Sequence, residues 1–235
     1  MRIISRKTLR DFWEEHADAE QPLKAWFHET KSADWKSFAD IKARHRSADI
    51  LPGNRVIFNL KGHTYRLIVC IHFNTRIVSS ASSVLTPNTT GSMQPRFKPN
   101  PMKPKVLKTV RDHRAALAHI AQLMAQSATD ESELELWSLL VEKYEEAQFP
   151  ISAPDPIEAI RFRMDQAGLQ PADLQPYLQS KSKVSEVMNR KRPLSLSMIR
   201  ALHQGLQIPA EVLVQEPASQ YGARQPIPSR RNKKT

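Results

Sequence analysis

Residues 79–100, SSASSVLTPNTTGSMQPRFKPN, carry no hydrophobic period of either kind, and they divide the chain into two halves that fold by different rules. A stretch this rich in Ser, Thr and Pro cannot bury a core, so its composition marks a linker, assigned to 79–101. Strand periodicity occurs only before it. After it, every periodic segment is helical. With 235 residues there is room for two small domains, or one with a long tail.

Residues 5–30 read as helical, with Leu9, Phe12, Trp13, Leu23, Trp26 and Phe27 at helical spacing. A further helix, about 35–46, carries Trp35, Phe38 and Ile41. After Pro52 and Gly53 the period changes. Residues 55–60 (RVIFNL) and 64–73 (TYRLIVCIHF) are β-branched and aromatic, joined at Lys61-Gly62-His63 as a hairpin turn. Residues 76–78 begin another strand. Two or three helices followed by an antiparallel sheet define an α+β domain over 1–78.

Beyond the linker, 106–126 and 133–147 read as amphipathic helices within a segment at 102–153. Short helices follow at 156–167, 171–177, 182–190, 195–205 and 209–215. Gly168 and Gly205 stand where helix C-terminal glycines stand, and Pro171 and Pro209 occupy first-turn positions. Five short helices over 154–216 match the all-α plan of a repressor-type helix-turn-helix domain. Residues 217–235 read as a basic disordered tail.

In that plan residues 172–178 form the first helix of the motif, 179–181 the turn, and Ser182–Arg190 the recognition helix. Val184, Val187 and Met188 face the core. Lys183, Ser185, Glu186, Asn189 and Arg190 remain on other faces, with Ser182 and Lys183 at the end that meets base edges. Lys181, Arg190, Lys191 and Arg192 suit phosphate contact, which adds affinity without sequence information. The competing reading is a plain five-helix domain with a solvated polar face.

Charge supports a polyanionic partner: 35 Lys and Arg against 24 Asp and Glu leave +11. Five of the basic residues crowd into 181–192, and another five lie in 217–235, where there is no acid. No apolar run approaches the roughly 20 residues of a membrane span. The first residues carry no apolar signal-peptide core. The one cysteine, Cys70, lies between Val69 and Ile71 and reads as a small hydrophobe in a reducing cytoplasm. No cofactor and no metal are expected.

Residues 154–164 (PDPIEAIRFRM) and 184–195 (VSEVMNRKRPLS) resemble the HigA-type antitoxins, DNA-binding autorepressors of toxin–antitoxin operons. The first half resembles their partners, the HigB toxins, mRNA interferases related to the RelE fold. The matching residues are 9–13 (LRDFW), 23–26 (LKAW), 54–62 (NRVIFNLKG) and 65–69 (YRLIV). The resemblance implies toxin and antitoxin in one chain, with operator DNA, mRNA and the ribosome as partners. It also implies a toxin–antitoxin contact and a homodimer through the helix-turn-helix domain.

Metal-independent RNA cleavage needs cations for the phosphate and groups that move protons at the 2′-OH and the leaving oxygen. Lys61 and His63 at the turn, with Arg66 and His72 on one strand face, are the catalytic candidates. Each taken singly reads more readily as a solvated surface residue than as a catalyst, and only the cluster points to chemistry.

Where such toxins continue their last strand, this chain has residues 79–93. With suitable codons that stretch, read two bases on, encodes a toxin ending, and continuing through residues 94–98 it reaches a stop just before Met102. The expectation is therefore a frameshifted toxin tail, a sheet left a strand short after residue 78, and a disabled nuclease. The alternatives are a working interferase silenced by its fused antitoxin, and a regulator whose first domain senses a ligand.

Overall fold

The computed structural model describes residues 1–85, 103–126 and 130–215. The first part runs β1 (Arg2–Ile4), α1 (Arg6–Glu15), α2 (Glu20–Ser32), α3 (Phe38–Arg44), β2 (Asp49–Leu51), β3 (Arg55–Leu60), β4 (Tyr65–His72) and β5 (Ile77–Leu85). A short 3-10 turn at Ala17–Ala19 breaks what the sequence suggests as one helix over 5–30. The five strands form one sheet in the order β1-β5-β4-β3-β2, antiparallel except for the parallel β1–β5 pair. The α+β reading of this half holds.

The expectation of a sheet that stops at residue 78 does not hold. β5 continues to Leu85 and pairs with β4 as far as Arg66↔Leu85, with one irregularity between Ile68 and Cys70. The reason lies in β4. Its outer main-chain groups over Arg66–Ile68 need partners, and backbone pairing requires no apolar side chain. So the first seven residues assigned to a linker are strand, while 86–101 and the tail 217–235 lie outside the described residues.

Alternation along β4 sorts its side chains cleanly. Leu67, Val69 and Ile71 are buried against α1–α3, while Arg66 is exposed on the opposite face. They join Val56, Phe58 and Leu60 of β3 and Leu23, Trp26 and Ile41 of the helices in one core. The β1–β5 end is covered on both faces. Ile3 and Val78 enter that core, whereas their neighbours Ile4 and Ile77 point the other way.

What they meet there is the next part of the chain, α4 (Val110–Ala125) and α5 (Glu131–Gln148). Ile4 and Ile77 share a core with Ile120, Leu134, Trp137 and Val141. Thr109 and Asp112 form a reciprocal capping box that starts α4, and Asp130 caps α5. The buried carboxylate of Glu145 on α5 accepts the Arg6 amide at 3.0 Å and faces His113 Nε2 at 2.8 Å. It thereby closes the N-terminus of α1, whose own cap residue Ser5 makes no side-chain cap bond.

The last part holds α6 (Pro156–Ala167), a 3-10 turn at Pro171–Leu174, α7 (Gln175–Leu178), α8 (Lys181–Met188), α9 (Leu196–Leu206) and α10 (Ala210–Leu213). Asp155 caps α6 at the Ile157 and Glu158 amides, Pro156 fills its first position, and Gly168 ends it at φ 66°. Ile160, Leu174, Leu178, Val187, Leu202 and Ile208 are fully buried at its centre.

Candidate functional site

The hairpin turn and the strand after it hold the four residues proposed for RNA chemistry, but not in one cluster. Lys61, Gly62 and His63 all take left-handed backbone conformations, at φ 50°, 58° and 73°. Lys61 Nζ lies 2.5 Å from Asp18 Oδ2, and the Tyr65 hydroxyl donates to Asp18 Oδ1 at 2.6 Å. The hydrogen bond from Lys61, and then that from Tyr65, holds the Asp18 carboxyl below the usual carboxylate range. The same contact with Asp18 pushes the Tyr65 phenol up. Phe12 and His16 pack against the Tyr65 ring, with centroids at 5.4 and 5.8 Å.

Arg66 is exposed on the other face of β4, registered with Asn59 and Leu85. His72 shares that face, but six residues along a strand span roughly 20 Å. Its Nδ1 is 2.9 Å from Thr75 Oγ1 at the far turn. The structure thus brings Lys61 and His63 to one end of β4 and leaves His72 at the other. It adds Asp18, His16 and Tyr65 to the Lys61 end, none of which the sequence reading singled out. Tyr65 was visible there as a strand aromatic within the matching stretch 65–69, and Asp18 sits in no motif. Cys70 is half-buried, and burial pushes its thiol up, away from the reactive thiolate.

The helical half reaches this region through α6. Arg163 donates to Glu29 of α2 at 2.9 Å and to the Arg44 carbonyl. Arg44 also meets Glu29, at 3.2 Å, and donates to Gln207 Oε1 and to its carbonyl at 2.5 and 2.7 Å. Burial pushes the Glu29 carboxyl up, opposed by the two guanidiniums. Next along α6, Gln166 Nε2 donates to the Asn59 carbonyl at 2.6 Å, and its Oε1 lies 3.0 Å from His45 Nδ1. That oxygen can only accept, so His45 carries its proton on Nδ1 and is neutral. Burial drives its pKa down to about 3. Asp165 Oδ2 accepts the Gly62 amide of the hairpin turn at 3.3 Å. Phe162 completes the contact by entering the core of the first half.

The helix expected at 182–190 begins one residue earlier and ends at Met188. Lys181 is therefore its first helical residue rather than part of the turn, and Ser180 caps it at the Lys183 amide. Val184 and Val187 are buried and Met188 packs beside them. Lys181, Ser182, Ser185 and Asn189 are exposed. Several of the other polar residues have partners within the domain. Lys183 Nζ donates to Gln179 at 2.5 Å, and Ser182 and Arg192 both reach Glu186, at 2.9 and 2.5 Å. Asn189 donates to Ser185 at 3.3 Å.

Arg190 lies just past the helix, not on it. The Lys191 amide donates to the Glu186 carbonyl and the Arg190 amide to that of Val187, which leaves Arg190 left-handed at φ 59°. Its guanidinium bridges Asp155 at 2.6 Å and Glu158 at 2.9 Å, and the Asp155 contact raises its pKa. Beside α8 a cavity of about 660 Å³ is lined by Met164, Leu169, Val184 and Met188 together with Ser185 and Asn189.

Residues 19–86 match the family model of the HigB toxin, described as the RelE-like toxic component of a toxin–antitoxin system. The match covers α2 through β5 and includes the hairpin turn with Lys61 and His63. No curated protein and no solved structure compared with the chain matches it. No helix among the described residues is long and apolar enough to cross a membrane.

Proposed function

We propose that this chain, with a HigB-type toxin domain at residues 19–86, restrains that domain with its own helical half and binds operator DNA through α8 as an autorepressor. The observation that carries the reading is the buried pair of Glu29 and Arg163, whose side chains are each 3% exposed. A desolvated carboxylate on the toxin-type domain needs buried countercharge, and the more deeply buried of its two guanidiniums, Arg163, comes from the helical half while Arg44 is its own domain's. Antitoxin contact within one chain is the simplest account of such a pair.

The exposed Lys181, Ser182, Ser185 and Asn189 of the α8 face, its capped N-terminus and Lys191 just past its end favour DNA as the second partner. The chain binds as a dimer on an inverted repeat, with half-sites about one helical turn apart. Footprinting of the region upstream of its own gene at moderate salt tests this. Protection of two half-sites is expected, and an unprotected region overturns it. Replacing Asn189 by Ala should cost roughly 1–3 kcal/mol at one base pair if the amide reads a base edge.

A second reading, a working mRNA interferase silenced in cis, is favoured by β5, which supplies β4 with a partner along its length. Arg163→Glu would set two carboxylates against each other and release the domain. Growth arrest with cleaved mRNA on inducing that variant supports this reading, and undisturbed growth opposes it. The nucleotide sequence across codons 76–102 tests the frameshift: one inserted base must restore a toxin ending and a stop.

A further inference from the structure

We propose that the Lys61-Gly62-His63 turn is a binding site for a backbone phosphate of RNA, and that the Asp165 carboxylate occupies it in cis as a phosphate mimic. The proposal rests on the toxin-type reading of residues 19–86 and adds the device that keeps RNA out.

Three consecutive residues with positive φ make the turn tight, and the Gly62 amide within it is given to a side-chain carboxylate. Lys61 of the same turn supplies an ammonium, and the next residue but one, His63, an imidazole. An acceptor that reaches the turn from the other half of the chain is itself an anion: Asp165 Oδ2 takes the Gly62 amide at 3.3 Å.

The position of Asp165 on its own helix makes the same point. It lies in the last turn of α6, which holds no basic residue, where the helix dipole presents partial negative charge. A carboxylate there is unfavourable unless donors stabilise it, and the Gly62 amide of the turn does so at 3.3 Å, with Gln166 Nε2 of the same helix at 3.4 Å. Neighbouring contacts fix the register. Arg163 on Glu29 and Gln166 on Asn59 and His45 hold α6 so that Asp165 falls on Gly62. Asp18 holds Lys61 at the rim. An incoming RNA phosphate would take the Gly62 amide and the Lys61 ammonium and displace Asp165. No covalent step is involved.

The test uses the full chain labelled with ¹⁵N-glycine, whose six glycines give a sparse spectrum. Inorganic phosphate and a 2′-O-methyl hexaribonucleotide are titrated separately into wild type, Asp165→Ala and Asp165→Ala/Lys61→Ala. The Gly62 resonance should move with both probes. It should do so at about tenfold lower concentration in Asp165→Ala, the worth of one modest charge-assisted hydrogen bond. The double variant should lose that gain.

Asp165→Asn, which keeps an acceptor but no charge, should fall between the two and replaces Asp165→Ala if the latter's glycine spectrum is not native. A purely structural Asp165 would shift Gly62 without changing either titration. Equal midpoints in wild type and Asp165→Ala overturn the guarding role yet leave the toxin-type reading standing. A Gly62 resonance unmoved by either probe in every variant overturns the phosphate site, while the toxin-type reading, which rests on the family match, stands.

Discussion

Glu29→Gln should separate the two halves of the chain. The glutamate side chain is 3% exposed, and one of its oxygens serves Arg163 at 2.9 Å and Arg44 at 3.2 Å. Glutamine preserves its shape but leaves the Arg163 guanidinium, equally buried, without a countercharge. Breaking a buried pair from one side costs about 3–5 kcal/mol, against about 0–1 kcal/mol for an exposed one such as Arg10–Glu14.

All four tryptophans, at 13, 26, 35 and 137, precede α6. Tryptophan fluorescence in a urea series therefore follows the first half and its covering helices, while far-UV circular dichroism also follows α6–α10. In wild type the two transitions should coincide. In Glu29→Gln the helical signal should be lost first, with the fluorescence midpoint also lowered, whereas Glu14→Gln should behave as wild type. Adding Arg163→Met should restore most of the stability, because replacing both partners with neutral groups removes the stranded charge. Coincident transitions in Glu29→Gln, shifted by less than about 1 kcal/mol, would refute the argument that this pair holds the halves together.

His45, lowered to about 3 in the fold, binds its proton only on unfolding, so its contribution to stability is complete above pH 6.5 and falls as the pH drops below it. Between pH 7 and 5 this should remove about 2 kcal/mol, a loss that urea unfolding should find much reduced in His45→Asn. Glu145→Ala strands the Arg6 amide and His113 and should cost about 2 kcal/mol, read as a lower Tm. At Arg190 two effects oppose each other, since any substitution loses the bridge to Asp155 and Glu158 while glycine alone relieves the left-handed backbone. Arg190→Gly should therefore be about 1 kcal/mol more stable than Arg190→Ala, and equal melting curves would argue against strain at this position.

The elements legible in the sequence are those whose own residues dictate them. β3 and β4 follow from alternation ending at a Gly-containing turn, and α6 follows from Asp155, Pro156 and Gly168. The rest is decided by partners far along the chain. β1 is three residues long, too short to show any period, and is a strand because β5 lies beside it. β5 is strand through a Ser-rich run because β4 needs pairing there. The candidate site divides the same way. Lys61 and His63 announce themselves at a turn, while Asp18 and Asp165 belong to it only by folding. Arg190 looks like a DNA contact by charge and position, and nothing in the sequence signals that Asp155 and Glu158 hold its guanidinium.

The parallel pairing of β1 with β5 has a consequence for the order of events during synthesis. Residues 2–4 are made some 75 residues before their strand partner, and Glu145, which closes α1, is made later still. At about 5–20 residues per second, the 60 residues from Leu85 to Glu145 take roughly 3–12 s. During that interval the sheet end at Ile4 and Ile77 stands open on one face. It closes only on α4 and α5, helices made later in the same chain. A toxin domain assembled in this order reaches its finished form no earlier than its own cover does.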